Sequence, residues 1–143
     1  MARGDAGTEA GAAHTTRRVV LIDAPGSGAV PPIVREAAAA AVREHRTLVV
    51  YVGASWCEPC QRFRDAVAKG ELDATLSDVA LLEFDFDRDH ERLAAAGYLS
   101  KYIPLLALPA PDGSASGKQI EGGVKGEGAV GFIVPRLRAM LAE

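Results

Sequence analysis

The sequence lacks three features that would each place it in a large class of proteins. It has no excess of positive charge, since 16 Lys and Arg stand against 19 Asp and Glu for a formal net charge of −3. A nucleic-acid binder normally carries a basic excess, because neutralising phosphates supplies most of its affinity, so we expect no nucleic-acid partner. No stretch approaches the roughly 18–20 apolar residues of a membrane span. Residues 1–18 contain no apolar core of a secretory signal, which predicts a cytoplasmic protein.

The length and composition indicate one domain. The chain has 143 residues, of which 48% are hydrophobic and 24% charged, close to the average for a globular protein. Residues 1–16 are small and polar without periodicity, and are predicted to form a flexible tail. The domain is therefore expected to cover residues 17–143.

Strand patterns alternate with helix patterns along the domain. The predicted strands cover 17–22, 47–53, 79–87, 102–108 and 118–121. The predicted helices cover 33–46, 61–69, 89–96 and 128–142. Pro31 and Pro32 can open the first of them, and the last is expected to bend or begin late at Pro135. Alternation of this kind implies a parallel sheet, and a hairpin at Asp112 and Gly113 adds an antiparallel edge. The predicted class is α/β.

Acidic residues cluster in the third predicted strand. Glu83, Asp85 and Asp87 alternate with Phe84 and Phe86, so the three carboxylates are expected to share one face of that strand. A solvated strand end accounts for Asp85 and Asp87 better than a metal site does.

Cys57 and Cys60 are the only two cysteines. A disulfide between them would add little stability to the fold, because the loop that it closes is too short to constrain the unfolded chain. A pair kept for reactivity or for metal binding is the better starting hypothesis. A closed zinc site needs about four ligands, and only three histidines are present, one of them in the tail, so no metal is expected.

The position of the two cysteines favours redox chemistry. Cys57 lies where a buried strand pattern gives way to a helix, so its sulfur faces the positive end of the helix dipole. Such a setting lowers a thiol pKa from about 8.5 to roughly 3.5–7.5 and favours the reactive thiolate. Cys60 follows one helical turn later, within reach of a mixed disulfide on Cys57. Pro59 fits early in the helix between them.

These residues carry a resemblance to a known family. The segment from Trp56 to Cys60, Trp-Cys-Glu-Pro-Cys, resembles the Trp-Cys-x-Pro-Cys site of the thioredoxin superfamily, and Ile103 and Pro104 resemble its cis-proline element. The resemblance covers about residues 17–143. It implies the thioredoxin fold, a central mixed sheet of four or five strands flanked by helices.

The resemblance also implies a role for each matching residue. Cys57 corresponds to the nucleophile and Cys60 to the resolving thiol. Trp56 corresponds to the aromatic lid beside the site. Ile103 and a cis Pro104 correspond to the platform that pairs with an extended substrate, and Gly123 to the small residue that lets a substrate chain approach.

Four positions depart from the pattern of thioredoxins proper. Gly53 stands where those proteins often have an aromatic residue, and the other three are predicted to tune the site together with Pro59. Tyr51 and Glu83 stand where those proteins have a buried aspartate and its lysine partner. The usual proton acceptor is thus absent from its place, although Glu83 could put a carboxylate into the same cavity. Glu58 replaces the usual glycine. Its charge beside Cys57 would destabilise the thiolate, which predicts a more reducing couple.

The function predicted from these residues is a thiol–disulfide oxidoreductase that reduces protein disulfides. It is expected to act as a monomer, without a bound cofactor, on disulfide-containing proteins. Its electrons would come from an external donor such as a thioredoxin reductase-like partner. Two alternatives stay open: an oxidase or isomerase in an oxidising compartment, and a non-catalytic module that binds peptides in the groove at Pro104.

Overall fold

The structure is a computed structural model and describes residues 17–143, so the predicted tail lies outside the described residues. Strands and helices alternate through most of this part of the chain. The strands are β1 (Val20–Asp23), β2 (Thr47–Gly53), β3 (Val79–Asp85), β4 (Leu105–Pro109) and β5 (Ala115–Glu121). The helices are α1 (Val30–Arg43), α2 (Glu58–Ala68), α3 (Phe86–Ala95) and α4 (Ala129–Ala142).

The strands form one mixed sheet in the order β1-β3-β2-β4-β5. β1, β3 and β2 run parallel, whereas β4 runs antiparallel to β2 and β5 antiparallel to β4. The prediction of an α/β fold with a central mixed sheet of four or five strands is confirmed.

Helices cover both faces of the sheet, so the central strands are buried on both sides. In β2, Val49 and Tyr51 pack into the cluster formed with α2 and α4. Val50 and Val52 point the other way, into the cluster formed with α1 and α3. This two-sided burial is why β2 is a continuous apolar run. Within residues 17–143, none of the helices has both the length and the apolar character needed to cross a bilayer.

The predicted boundary between β3 and α3 is wrong by two to three residues. Strand β3 ends at Asp85, and α3 begins at Phe86 with no loop between them. The Asp85 carboxylate accepts a hydrogen bond from the Arg88 backbone N–H at 2.8 Å and so caps the helix. Asp87 therefore lies on α3 and does not share a strand face with Glu83 and Asp85.

Helix α1 begins at Val30, with Pro31 and Pro32 in its first turn, as predicted for prolines that open a helix. It ends at Arg43, earlier than the predicted residue 46. Helix α2 likewise includes Pro59 in its first turn and begins at Glu58 instead of residue 61. It ends at Ala68, and Gly70 adopts a φ of +79° just beyond, as a helix stop requires.

The remaining boundaries also shift. β1 begins at Val20 and β4 at Leu105, later than the predicted residues 17 and 102, whereas β5 begins at Ala115, before the predicted residue 118.

Helix α4 begins at Ala129 and is continuous through Pro135, so the expected late start is wrong. Burial of its apolar face against the sheet outweighs the hydrogen bond that Pro135 cannot make.

Candidate active site

Sheet register brings two distant segments together at the edge where β2 ends. β2 runs to Gly53, and a short turn leads into α2. β4 is antiparallel to β2, with Leu105 opposite Val52, so the residues before β4 lie beside the turn after β2. The peptide bond between Ile103 and Pro104 is cis, as predicted.

Cys57 and Cys60 form a disulfide in this structure. Cys57 is the N-cap of α2, and the Cys60 backbone N–H donates to its sulfur at 3.3 Å. The same N–H and the helix dipole would stabilise a thiolate at Cys57 after reduction. Cys57 keeps 6% of its surface exposed, whereas Cys60 has none. An incoming disulfide can therefore reach the first sulfur, and the second is shielded behind it.

The residues around Cys57 combine an aromatic contact surface with the backbone of Ile103. The Ile103 carbonyl oxygen lies 3.8 Å from the Cys57 sulfur, and Ile103 precedes the first residue of β4, outside the sheet register. Trp56 is 63% exposed and is held by a hydrogen bond from its Nε1 to the Asp87 carboxylate at 2.8 Å. Its ring meets the edge of Phe86 at 6.5 Å between centroids. A flat aromatic surface thus lies beside Cys57.

Tyr51 lies directly behind the disulfide. Its side chain is buried, and its hydroxyl donates to the Cys60 carbonyl oxygen at 3.1 Å. Gly53 follows on the same strand face, and a Cβ there would lie 2.8 Å from the Tyr51 oxygen and 3.3 Å from the Cys60 Cβ. Burial, and to a smaller extent the nearby Glu83 carboxylate, raises the pKa of Tyr51, so the phenol stays neutral and acts as a donor.

Glu83 lines a polar cavity of about 470 Å³ with Tyr51 and Gly53. Arg64 donates to both Glu83 carboxylate oxygens through its Nε, at 2.9 and 3.2 Å. Burial raises the pKa of Glu83 and the neighbouring Asp23 raises it further, and the Arg64 contact lowers it without cancelling the rise. The pKa of the Glu83 carboxyl group therefore lies above its ordinary value.

A family model described as thioredoxin-like matches residues 32–111, which is more than half of the chain and includes both cysteines and the cis proline. The chain belongs to the thioredoxin-like family. Among solved structures, it is similar to thioredoxin O1 from Arabidopsis thaliana in the oxidised state, with 21% identity over 88% of this chain and 96% of that chain and a TM-score of 0.51. A thioredoxin from Trichomonas vaginalis has 21% identity over 87% and 95%, with a TM-score of 0.49. A search of curated proteins returns no match.

The thioredoxin-like fold and the Cys57–Cys60 disulfide together support thiol–disulfide oxidoreductase chemistry. Both sulfurs needed for an exchange reaction lie in one turn, and one of them is accessible. Within residues 17–143, no cluster of three or more His, Cys, Asp or Glu side chains could hold a metal ion.

Two further predicted residues of this thioredoxin-like site lie at the active-site turn. Glu58 is exposed and pairs with Arg62 at 3.5 Å, which offsets part of its charge beside Cys57. Gly123 packs against Pro59, where a Cβ would lie 2.8 Å from the Pro59 Cβ. Its role in admitting a substrate chain stays a prediction.

Sequence reasoning missed Arg64, the partner of Glu83. Arg64 follows Cys60 by four residues on α2, so helical spacing alone would have placed it on the same face, toward the carboxylate behind the disulfide. Lys101, Tyr102 and Lys125 were also missed. They line the groove beside Cys57, and no local pattern marks them.

Proposed function

We propose that this protein reduces disulfide bonds in other proteins. The observation that carries the proposal is the asymmetric cysteine pair, in which Cys57 keeps 6% of its surface exposed and Cys60 keeps none, beside a groove that contains the cis proline's neighbour Ile103. In the dithiol form, the Cys57 thiolate attacks one sulfur of a substrate disulfide. A mixed disulfide forms, and the other substrate sulfur leaves as a thiolate.

The second step returns the substrate in its reduced form. Cys60 gives up its proton and attacks the Cys57 sulfur, which releases the second substrate thiolate and closes the Cys57–Cys60 disulfide. Two electrons pass from the protein to the substrate, and the released thiolates take up protons. A dithiol donor, such as a thioredoxin reductase-like partner, must then reduce the pair again.

Glu83 is the group that we propose as acceptor of the Cys60 proton. Its pKa is raised, mainly by burial, and it stands opposite Tyr51 in the register of β2 and β3. The Tyr51 hydroxyl in turn contacts the Cys60 backbone. The cavity in front of Glu83 leaves room for a proton path to solvent.

The proposed direction of the reaction, reduction of the substrate disulfide, is inferred from the charge of Glu58. A carboxylate at the first position of α2 disfavours negative charge on Cys57, and a less stabilised thiolate makes the couple more reducing. Arg62 offsets only part of this effect, because both side chains of the pair are half exposed and screened by solvent. A reducing compartment such as the cytoplasm fits this direction.

The test is to trap the mixed disulfide with cysteine variants. Reduced Cys60→Ser should accumulate a covalent adduct with a peptide disulfide through Cys57, seen by mass spectrometry, because nothing resolves it. Cys57→Ser should form no adduct, and its reduction of the peptide should fall to the uncatalysed rate. If Cys57→Ser still reduces disulfides, the proposal is wrong.

The same assay tests Glu83 in the protein with both cysteines. Resolution of the mixed disulfide should speed up where Glu83 ionises, in addition to the rise caused by ionisation of Cys60 itself. Glu83→Gln should remove the first of these rises and slow the step by about a hundredfold. Asp23→Asn is the matched control. Since Asp23 raises the pKa of Glu83, its neutralisation should move the inflection to lower pH without abolishing it. An unchanged profile in Glu83→Gln would rule out this role.

A further inference from the structure

Two lysines line the groove beside Cys57, although the protein as a whole is acidic. The groove has a volume of about 360 Å³ and an aromatic lining from Trp56, Phe86 and Tyr102. Lys101 and Lys125 also line it, from two separate loops. The protein as a whole has a net charge of −3.

The two lysines have no carboxylate partner among residues 17–143. Glu58, the acidic residue of the groove lining, pairs with Arg62, which offsets part of its charge. Glu121 reaches the Lys101 loop, but its carboxylate accepts the backbone N–H of Lys101 at 2.8 Å and pairs with no lysine among residues 17–143. Two lysines against one carboxylate leave the lining of the groove with a net positive charge.

A second cavity of about 220 Å³ borders the groove, shares Phe86 and Ser100 with it and lies along α3 near His90 and Leu99. Its lining includes the buried side chains of Val52, Leu93 and Leu105, so the surface open to a substrate is the groove at Cys57.

We propose that the substrates of this reductase are polypeptides in which acidic residues flank the disulfide cysteine and pair with Lys101 and Lys125. The inference rests on the proposed function and names the substrate class of the same site. Exposed pairs of this kind are weak and are screened by salt, so we expect a rate preference of about two- to fivefold per lysine at low ionic strength. Complementary charge also steers the encounter and raises the association rate.

The experiment compares three peptide disulfides that differ only in the residues flanking the cysteine: Glu, Gln or Lys. Single turnovers of the reduced protein are followed at low and at high salt. The Glu peptide should react fastest and the Lys peptide slowest, and the differences should shrink at high salt. In Lys101→Gln/Lys125→Gln, the ratio of the Glu to the Lys rate constants should fall close to one. Lys69→Gln, an exposed lysine at the end of α2 outside the groove, should keep the preference.

Two results would overturn the inference and leave the proposed function standing. One is a wild-type protein that reduces all three peptides at equal rates. The other is a double variant that slows the three peptides and a small neutral disulfide by one common factor, because the lysines would then act on the Cys57 thiolate and not on the substrate. If the wild-type protein reduces no disulfide at all, the proposed function fails, and this inference fails with it.

Discussion

At the scale of single residues, the site depends on how closely Tyr51 approaches the disulfide. Its ring and hydroxyl occupy the space above Gly53, and the hydroxyl is bonded to the Cys60 carbonyl oxygen. Tyr51 stands where the resemblance to thioredoxins proper would place an acidic proton acceptor. The acidic group is found instead on the neighbouring strand, at Glu83.

Gly53→Ala should lower the free energy of unfolding by about 1–3 kcal/mol, because its Cβ would lie 2.8 Å from the Tyr51 oxygen. Tyr51→Phe alone should cost about 1 kcal/mol for one lost hydrogen bond. Since Tyr51→Phe also removes the closest clash, the double variant should lose less than the sum, by about 0.5 kcal/mol or more. Denaturant titrations of the four proteins measure this coupling, and strictly additive losses would contradict the packing described here.

At the scale of elements, one buried carboxylate binds the end of β3 and holds two arginines that connect α3 to the loop before α1. The side chain of Asp89 is fully buried and accepts hydrogen bonds from the Asp85 backbone N–H and from the guanidinium groups of Arg88 and Arg92. Arg92 also donates to the carbonyl oxygens of Pro25 and Gly28. Burial by itself would raise the pKa of Asp89, but the hydrogen bonds outweigh it and hold the pKa below its usual value.

Asp89→Asn should lower the free energy of unfolding at pH 7 by about 2–3 kcal/mol, the usual range for hydrogen bonds to a charged group. A carboxyl whose pKa is lowered by folding contributes stability above its unfolded pKa of about 3.9, and that stability is lost as pH falls through the folded value. The difference between wild type and variant should therefore be constant above about pH 5 and shrink below about pH 4. Asp78→Asn is the control, since its ion pair with Arg138 is exposed and should be worth under about 1 kcal/mol. A difference for Asp89→Asn that does not vary with pH would contradict this account.

The order of the elements could be predicted from the sequence because each one carries a local signal. The apolar run of β2 and the motif from Trp56 to Cys60 are signals of this kind, and so is the glycine that ends α2. The start of α3 could not be predicted, since Phe84 and Phe86 continue the strand alternation and only the cap at Asp85 interrupts it. The contacts of Arg92 with the loop before α1 are equally hidden, because Pro25 and Gly28 lie more than sixty residues away in the chain.

At the scale of the whole molecule, the active site forms where the pairing of β2 with β4 brings two distant chain segments together. The carboxyl end of β2 supplies the cysteines, and the amino end of β4 supplies the cis proline. The loop between β5 and α4 supplies Lys125, beside Lys101 from the loop before β4. A sequence pattern can predict the first two, but the meeting of two loop lysines depends on the length of the hairpin between them.

The most direct test of the central claim, that this thioredoxin-like protein works as a disulfide reductase, is the reduction potential of the Cys57–Cys60 pair. The protein is equilibrated with a dithiothreitol or glutathione series, and the oxidised fraction is measured. The account predicts a potential near or below about −250 mV, in the range of reductases. A value above about −180 mV would indicate an oxidase or isomerase and would contradict the effect assigned to Glu58. If the pair forms no reversible disulfide, the account of its chemistry is wrong.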